Sequence, residues 1–291
     1  MNAKTQIIAK LSSFPTIPVI VHRLMNVLHE QESRAGDIGE VVRHDPALTA
    51  NILKAANSSY LGFSKPVTSL TEASFRLGTK WIYQIAVSSL IYSNINRPAD
   101  GYEQKSQDLW RHSVATAVLA EALSKLLNIR DSGLIFTAAL VHDIGKIATH
   151  EFVGESIVEI EKLISESNKT FEEAEIEVLG VDHAEVGAMI ANHWNFPTQI
   201  IECIRWHHNP DAAPEITPAM DVVHIADALC LMEGIGIGRD GMYYRPSQEA
   251  IVRLNASGSI LELAVSQLLS SLEEIEGMLE EALPVYSYTR R

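Results

Sequence analysis

The sequence predicts an all-α protein, and three observations lead there. Apolar residues recur at spacings of three and four along nearly every periodic stretch, which is the repeat of one helical face. Residues that start helices stand immediately before those stretches. No stretch alternates apolar and polar residues long enough to mark a sheet. With 291 residues, the chain can bury one large core or two packed lobes.

The elements follow in order. Residues 18–30 place Val21, Leu24, Met25 and Leu28 on one face. Asp45-Pro46-Ala47-Leu48 has the form of a helix start. The aspartate can accept a free first-turn N–H, and proline's missing N–H costs nothing at that position. That helix runs through Leu48, Ile52 and Leu53, and Asn57-Ser58-Ser59 reads as its closing turn. Ser69-Leu70-Thr71-Glu72 fits a capping box, and Leu77-Gly78 ends the short helix it opens. The next helix is expected over 80–93. Residues 96–102, with Pro98, Asp100 and Gly101, read as a linker. A long helix over 106–127 follows. Residues 132–148 are apolar nearly all round, as a buried helix is. Residues 155–166 read as an amphipathic helix, and the acidic runs at 172–177 and 273–281 as solvated faces. Asp182-His183-Ala184-Glu185 opens a helix ending near Trp194. Pro197 opens another that stops at His207-His208, since Pro210 cannot continue it. Residues 218–232 are helical, 234–241 with four glycines are a loop, and helices over 247–254 and 259–283 close the chain. The expected organisation is an N-terminal helical lobe over 1–97, a second helical lobe over 103–235, and C-terminal helices over 246–291.

Composition narrows the function. The net charge is −14, and Lys and Arg are scattered, so nucleic acid is not an expected partner. Two cysteines, Cys203 and Cys230, do not make a disulfide framework. The opening MNAKTQIIAKLSSFP has no apolar core of signal-peptide length. The apolar stretch 81–92 is too short to span a bilayer and is interrupted by Gln84, Ser88 and Ser89. A cytoplasmic protein without a membrane segment is expected.

The informative residues are histidines and single acids set among apolar neighbours. His142-Asp143 lies in Leu140-Val141-His142-Asp143-Ile144-Gly145-Lys146. Burying such a pair is costly unless it is hydrogen-bonded or metal-bound. Imidazole nitrogen and carboxylate oxygen together suit a borderline divalent transition metal. Lys146 follows one turn after His142 on the same face. The dipeptide alone fits a buried histidine bonded to an acid equally well. Its company shifts the balance: His112 within a helix, His183 at a helix start, His207-His208 at a helix end, and Asp227 as a lone acid in an apolar helix.

This order of His, His-Asp, His, His-His and Asp resembles the two-metal form of the HD superfamily of metal-dependent phosphohydrolases. The resemblance assigns His112, His142, Asp143 and Asp227 to one ion. It assigns His183, His207 and His208 to a second, with Asp143 bridging. Asp143 and Lys146 are the catalytic candidates, Lys146 stabilising a developing oxyanion. The ions would be Fe, Mn, Ni, Co or Zn. Other stretches resemble the HD-related output domain (HDOD) family: Phe14-Pro15-Thr16-Ile17-Pro18, His44-Asp45-Pro46-Ala47-Leu48-Thr49, Ala56-Asn57-Ser58-Ser59-Tyr60, Ala73-Ser74-Phe75-Arg76-Leu77-Gly78, and 183–197 with Gly187, Trp194, Phe196 and Pro197. The resemblance implies an HD-domain-like helical bundle with an N-terminal helical lobe. No Gly-Tyr-Pro run occurs, which speaks against the cyclic di-GMP hydrolysis of the HD-GYP relatives.

Two functions follow. HDOD proteins are regulatory, which implies a signal-transduction protein acting on signalling proteins in trans. The complete ligand set instead implies a phosphohydrolase or phosphodiesterase acting on a phosphoester or nucleotide. Asp143→Asn is expected to abolish metal binding at both sites, by removing a ligand from each ion, while leaving the fold largely intact. In the metal-free chain it is expected to relieve repulsion between Asp143 and Asp227.

Overall fold

The computed structural model describes residues 2–29, 35–58, 61, 65–244 and 246–282. Glu30, Ser59, Tyr60 and Leu283, which close or belong to expected features, lie outside the described residues. The protein is all-α. Among the described residues the only extended pairing is an isolated bridge between Ala99 and Gln104.

The chain divides into two compact units, each discontinuous in sequence. One is Met1–Thr16 with Asn94–Leu269, the other Ile17–Ser93 with Ser270–Arg291. The chain passes between the units near residues 16, 94 and 269. The first sixteen residues, however, group with the 94–269 segment.

In the unit of 17–93, α2 (Val19–His29), α3 (Ala35–Val42), α4 (Pro46–Ala56), α5 (Leu70–Leu77) and most of α6 (Thr79–Ile95) follow one another. Val21, Leu24, Ile38, Val42, Leu48 and Ile52 fill the interior. The Asp45 side chain accepts from Leu48 N at 3.0 Å as expected; Ser69 Oγ accepts from Glu72 N at 3.2 Å, but the Glu72 carboxylate takes Thr68 N at 3.1 Å and not Ser69 N, so half of the expected capping box forms. Asn57 ends α4 and does more. Its amide donates to Val67 O at 2.8 Å and accepts from Val67 N at 2.7 Å, tying the following segment back to the helix.

The other unit contains α1 (Ala3–Leu11), α7 (Ser106–Leu126), α8 (Ser132–Val141), α9 (Lys146–Ser167), α10 (Phe171–Leu179), α11 (His183–His193), α12 (Thr198–Trp206), α13 (Pro218–Met232), α14 (Gln248–Arg253) and the start of α15 (Gly258–Ala282). Helix α7 packs on α8 and α13, α12 packs on α8, α11 and α13, and α9 packs on α10 and α11. Trp194 Nε1 donates to Pro15 O at 2.7 Å and secures the N-terminal segment.

Two expectations are corrected. The buried helix over 132–148 is two helices, α8 and α9, separated by a turn at 142–145. The turn is forced by contact. A Cβ on Gly145 would lie 1.9 Å from His183 O and 2.7 Å from Gly187 N, so only glycine lets this backbone meet the start of α11. The 172–177 run is not a solvated face throughout: Glu175 has no exposed surface. No described helix is long and apolar enough to cross a membrane.

Candidate metal centre

Six elements of the 94–269 unit supply the site, each for a local reason. Helix α7 carries His112 inward among Leu109, Val114 and Ala115. The turn after α8 presents His142 and Asp143 side by side, and α9 begins with Lys146. Asp182 caps α11 by accepting from Glu185 N at 2.7 Å, which fixes His183 at the first helical position. His207 and His208 follow the end of α12, and α13 contributes Asp227.

The structure brings all seven expected ligand residues together, in two groups. Ligand atoms of His112, His142 and Asp227 lie within 4.8 Å of one another, as do those of Asp143, His183, His207 and His208. Asp143 stands between the groups. Its Oδ2 is 3.4 Å from His142 Nε2 and 3.8 Å from His112 Nε2. Its Oδ1 is 3.5 Å from His183 Nε2 and 3.7 Å from His207 Nε2. Asp227 Oδ1 lies 2.9 Å from His112 Nε2 and 3.6 Å from His142 Nε2. His208 Nε2 is 2.7 Å from His183 Nε2. All are buried except His208, which is half-buried.

Four imidazoles are held at Nδ1, leaving Nε2 toward the cluster. His112 Nδ1 meets Ile235 O at 3.0 Å, His142 meets Ala139 O at 2.7 Å, and His207 meets Ile204 O at 2.6 Å. His183 Nδ1 meets the Glu175 carboxylate at 2.7 Å. Holding the far nitrogen selects the tautomer that a metal needs. The donor set fits divalent ions by a second test. On the seven ligand residues, five buried atoms have no hydrogen-bond partner: His142 Nε2, His207 Nε2, His208 Nδ1, Asp143 Oδ1 and Asp227 Oδ2. Buried polar atoms are ordinarily satisfied, and an ion would satisfy such a set.

Electrostatics divide the site. Burial opposes ionisation of Asp143 and Asp227. Lys146 and His142 around the first, and His112 and His142 around the second, outweigh it and hold both carboxyls well below the usual range. Burial would also lower His142, but Asp143 and Asp227 lift it to about 10. Burial lowers His207, and burial with the neighbouring His207 and His183 lowers His208 well below its ordinary value. Neutral imidazole is the ligating form.

Lys146 is not free. Its Nζ is buried, 2.6 Å from Asp143 Oδ2 and 2.5 Å from Asp240 Oδ2, and 5.6 Å from the Tyr102 ring centre. Asp240 sits in a 3₁₀ turn at Asp240–Tyr243, next to the glycine loop, and was not singled out from sequence. Glu175, Tyr102 and Tyr244 were missed as well. Glu175 carried a usable signal: Phe171, Glu175 and Leu179 are four apart on one apolar stripe, the same lone-acid pattern that marked Asp227. His224 is buried, with Nδ1 2.6 Å from His207 O and 2.8 Å from the Tyr244 hydroxyl.

Fold and site together define a helical protein with two adjoining His/Asp clusters that could hold metal ions. The chain belongs to the HDOD family: the HDOD domain model matches residues 14–210. It is 26% identical over 223 residues to an uncharacterized protein of Treponema pallidum, covering 75% of this chain and 42% of that one. It is 27% identical over 150 residues to ribonuclease Y of Thermus thermophilus, covering 52% of this chain and 20% of that enzyme. The chain thus spans less than half the length of either relative. Among solved structures, an HDOD domain protein of unknown function from Geobacter sulfurreducens superposes with a TM-score of 0.72 at 23% identity, covering 97% of this chain and 99% of that one. A protein from Marinobacter aquaeolei, provisionally described as a signal transduction protein, superposes at 0.74 with 19% identity, covering 93% of this chain and 60% of that one. These structural likenesses establish the fold.

Proposed function

We propose that this HDOD protein is a signalling module whose clusters hold two divalent transition-metal ions, and that it acts through protein partners in trans. The supporting observation is the placement of Asp143, whose two oxygens each face a different set of imidazole nitrogens. His112, His142, Asp143 and Asp227 would hold one ion; Asp143, His183, His207 and His208 the other. Fe, Mn, Ni, Co and Zn all suit such ligands. A regulatory role is favoured by Lys146. This lysine is committed to two carboxylates, Asp143 and Asp240, and offers no free charge to a substrate. The signal-transduction description of the Marinobacter neighbour agrees with this reading.

A second reading, a metal-dependent phosphohydrolase acting on a phosphoester or nucleotide, is favoured by the complete ligand set and by the 150 residues similar to ribonuclease Y. Bound ions would supply Lewis-acid charge and activate water for attack at phosphorus. The chain's own part would be to hold Asp143 between the clusters through Lys146, and to keep the imidazoles in the ligating tautomer through their Nδ1 partners.

The deciding experiment is elemental analysis of purified protein, with a metal-supplemented panel of bis(p-nitrophenyl) phosphate, dinucleotides and short RNA. Two ions per chain without turnover support the signalling module. Turnover that disappears in His142→Ala establishes the hydrolase. Metal well below one ion per chain after supplementation refutes both.

A further inference from the structure

Resting on the metal reading of the site, we infer that Glu175 is a positioning residue. Through His183 it strengthens binding at the His183/His207/His208 cluster and leaves the His112/His142/Asp227 cluster unchanged.

The inference begins with α10. Thr170 and Glu173 form a reciprocal cap, with Thr170 N donating to Glu173 Oε2 at 2.8 Å and Glu173 N to Thr170 Oγ1 at 3.4 Å. The helix then buries Phe171, Ala174 and Leu179, and that stripe carries Glu175 into the interior with no exposed surface. A carboxylate there is costly unless its lone pairs are used. They are used. The Tyr102 hydroxyl donates to Oε1, and Oε2 meets His183 Nδ1 at 2.7 Å and His183 N at 3.3 Å. The Tyr102 hydroxyl, its proton directed at Glu175, accepts in turn from Thr149 Oγ1 at 2.7 Å.

The two clusters differ in this respect. His112, His142 and His207 are held at Nδ1 by neutral backbone carbonyls, whereas His183 is held by a carboxylate. A carboxylate partner makes the opposite nitrogen more basic, and loss of such a partner typically weakens metal binding by about 10–100-fold. Because Glu175 reaches only His183 among the ligands, the effect falls on one ion.

The test uses full-length protein stripped by chelator and titrated with Zn²⁺ by calorimetry. Wild type takes up two ions. Glu175→Gln, which keeps the shape and drops the charge, takes up one at wild-type affinity and the other about 10–100-fold more weakly. Tyr102→Phe, which leaves the carboxylate in place, shows a smaller loss at the same ion and serves as second variant if Glu175→Gln does not fold. In Zn-loaded protein, the His183 Nδ1 proton resonates far downfield in wild type and moves upfield in Glu175→Gln, with the His112 and His142 ring protons unmoved. Unchanged affinity at both ions in Glu175→Gln, or equal weakening of both, overturns the inference and leaves the metal reading standing. A wild type that binds no ion overturns the metal reading itself.

Discussion

Replacing Asp143 by asparagine keeps the side-chain shape and removes the one charge shared by both clusters. Its consequences can be worked out for each state. With metal, each proposed ion has four protein ligands and loses one of them. Four-ligand zinc sites in zinc-finger peptides bind with about 10–16 kcal/mol, and on that scale one ligand in four is worth roughly 2.5–4 kcal/mol. That is about a 10²–10³-fold weakening at each cluster. Without metal, the expectation drawn from sequence reverses. Repulsion from Asp227 is not what Asp143 feels, because Lys146 Nζ at 2.6 Å and His142 Nε2 at 3.4 Å offset it. Asparagine deprives Lys146 of a buried charge-assisted hydrogen bond, worth about 1.5–3 kcal/mol. The metal-free variant therefore melts lower, by about 3–12 °C at roughly 2–4 °C per kcal/mol. Elemental analysis after gel filtration, Zn²⁺ calorimetry and thermal melts on stripped protein measure all three quantities. Two ions retained at wild-type affinity would refute the bridging role. A higher melting temperature in the stripped variant would refute the account of Lys146.

Further outcomes follow from other parts of the fold. Gly145→Ala places a Cβ 1.9 Å from His183 O, so it costs about 3 kcal/mol or more and lowers metal content; a folded variant with full metal would show that the turn has slack. Asp45→Ala removes the cap on Leu48 N and costs about 1 kcal/mol, and metal content should not change because Asp45 belongs to the other unit. Burial lifts Glu172 to about 7, above its ordinary 4.5. Stability tied to that group is therefore complete below pH 4.5 and lost as pH rises through 7. Stripped Glu172→Gln should accordingly melt above wild type at about pH 8 and level with it at about pH 4.5. Equal shifts at both pH values would argue against an ionisation penalty there.

Much of the fold was legible because helix starts are local chemistry. Asp45, Ser69 and Asp182 cap the helices that their sequence contexts announced, and each acts through atoms three residues away. The interruption at 142–145 was not legible. Its cause is the approach of Gly145 to His183 and Gly187, some forty residues on, while the local pattern stays apolar and helical through it. Asp240 was hidden for a similar reason. It lies in a glycine-rich loop without periodicity, and only its distance to Lys146 marks it.

By itself the sequence determined the helical class and named the seven candidate ligand residues. Both depend on residue type and spacing: periodicity dictates the buried faces, and a His or Asp among apolar neighbours is costly unless it has a partner. Tertiary structure decided the rest. It places Asp143 between two groups of imidazoles and commits Lys146 to Asp240 in the distant loop. It also turns Glu175 from an apparent surface acid into the partner of His183. The site joins residues far apart in the chain: Glu175 meets His183 eight positions on, and His112 meets Asp227 115 positions on. Distance and direction between side chains on different helices are set by packing, which a linear pattern does not record.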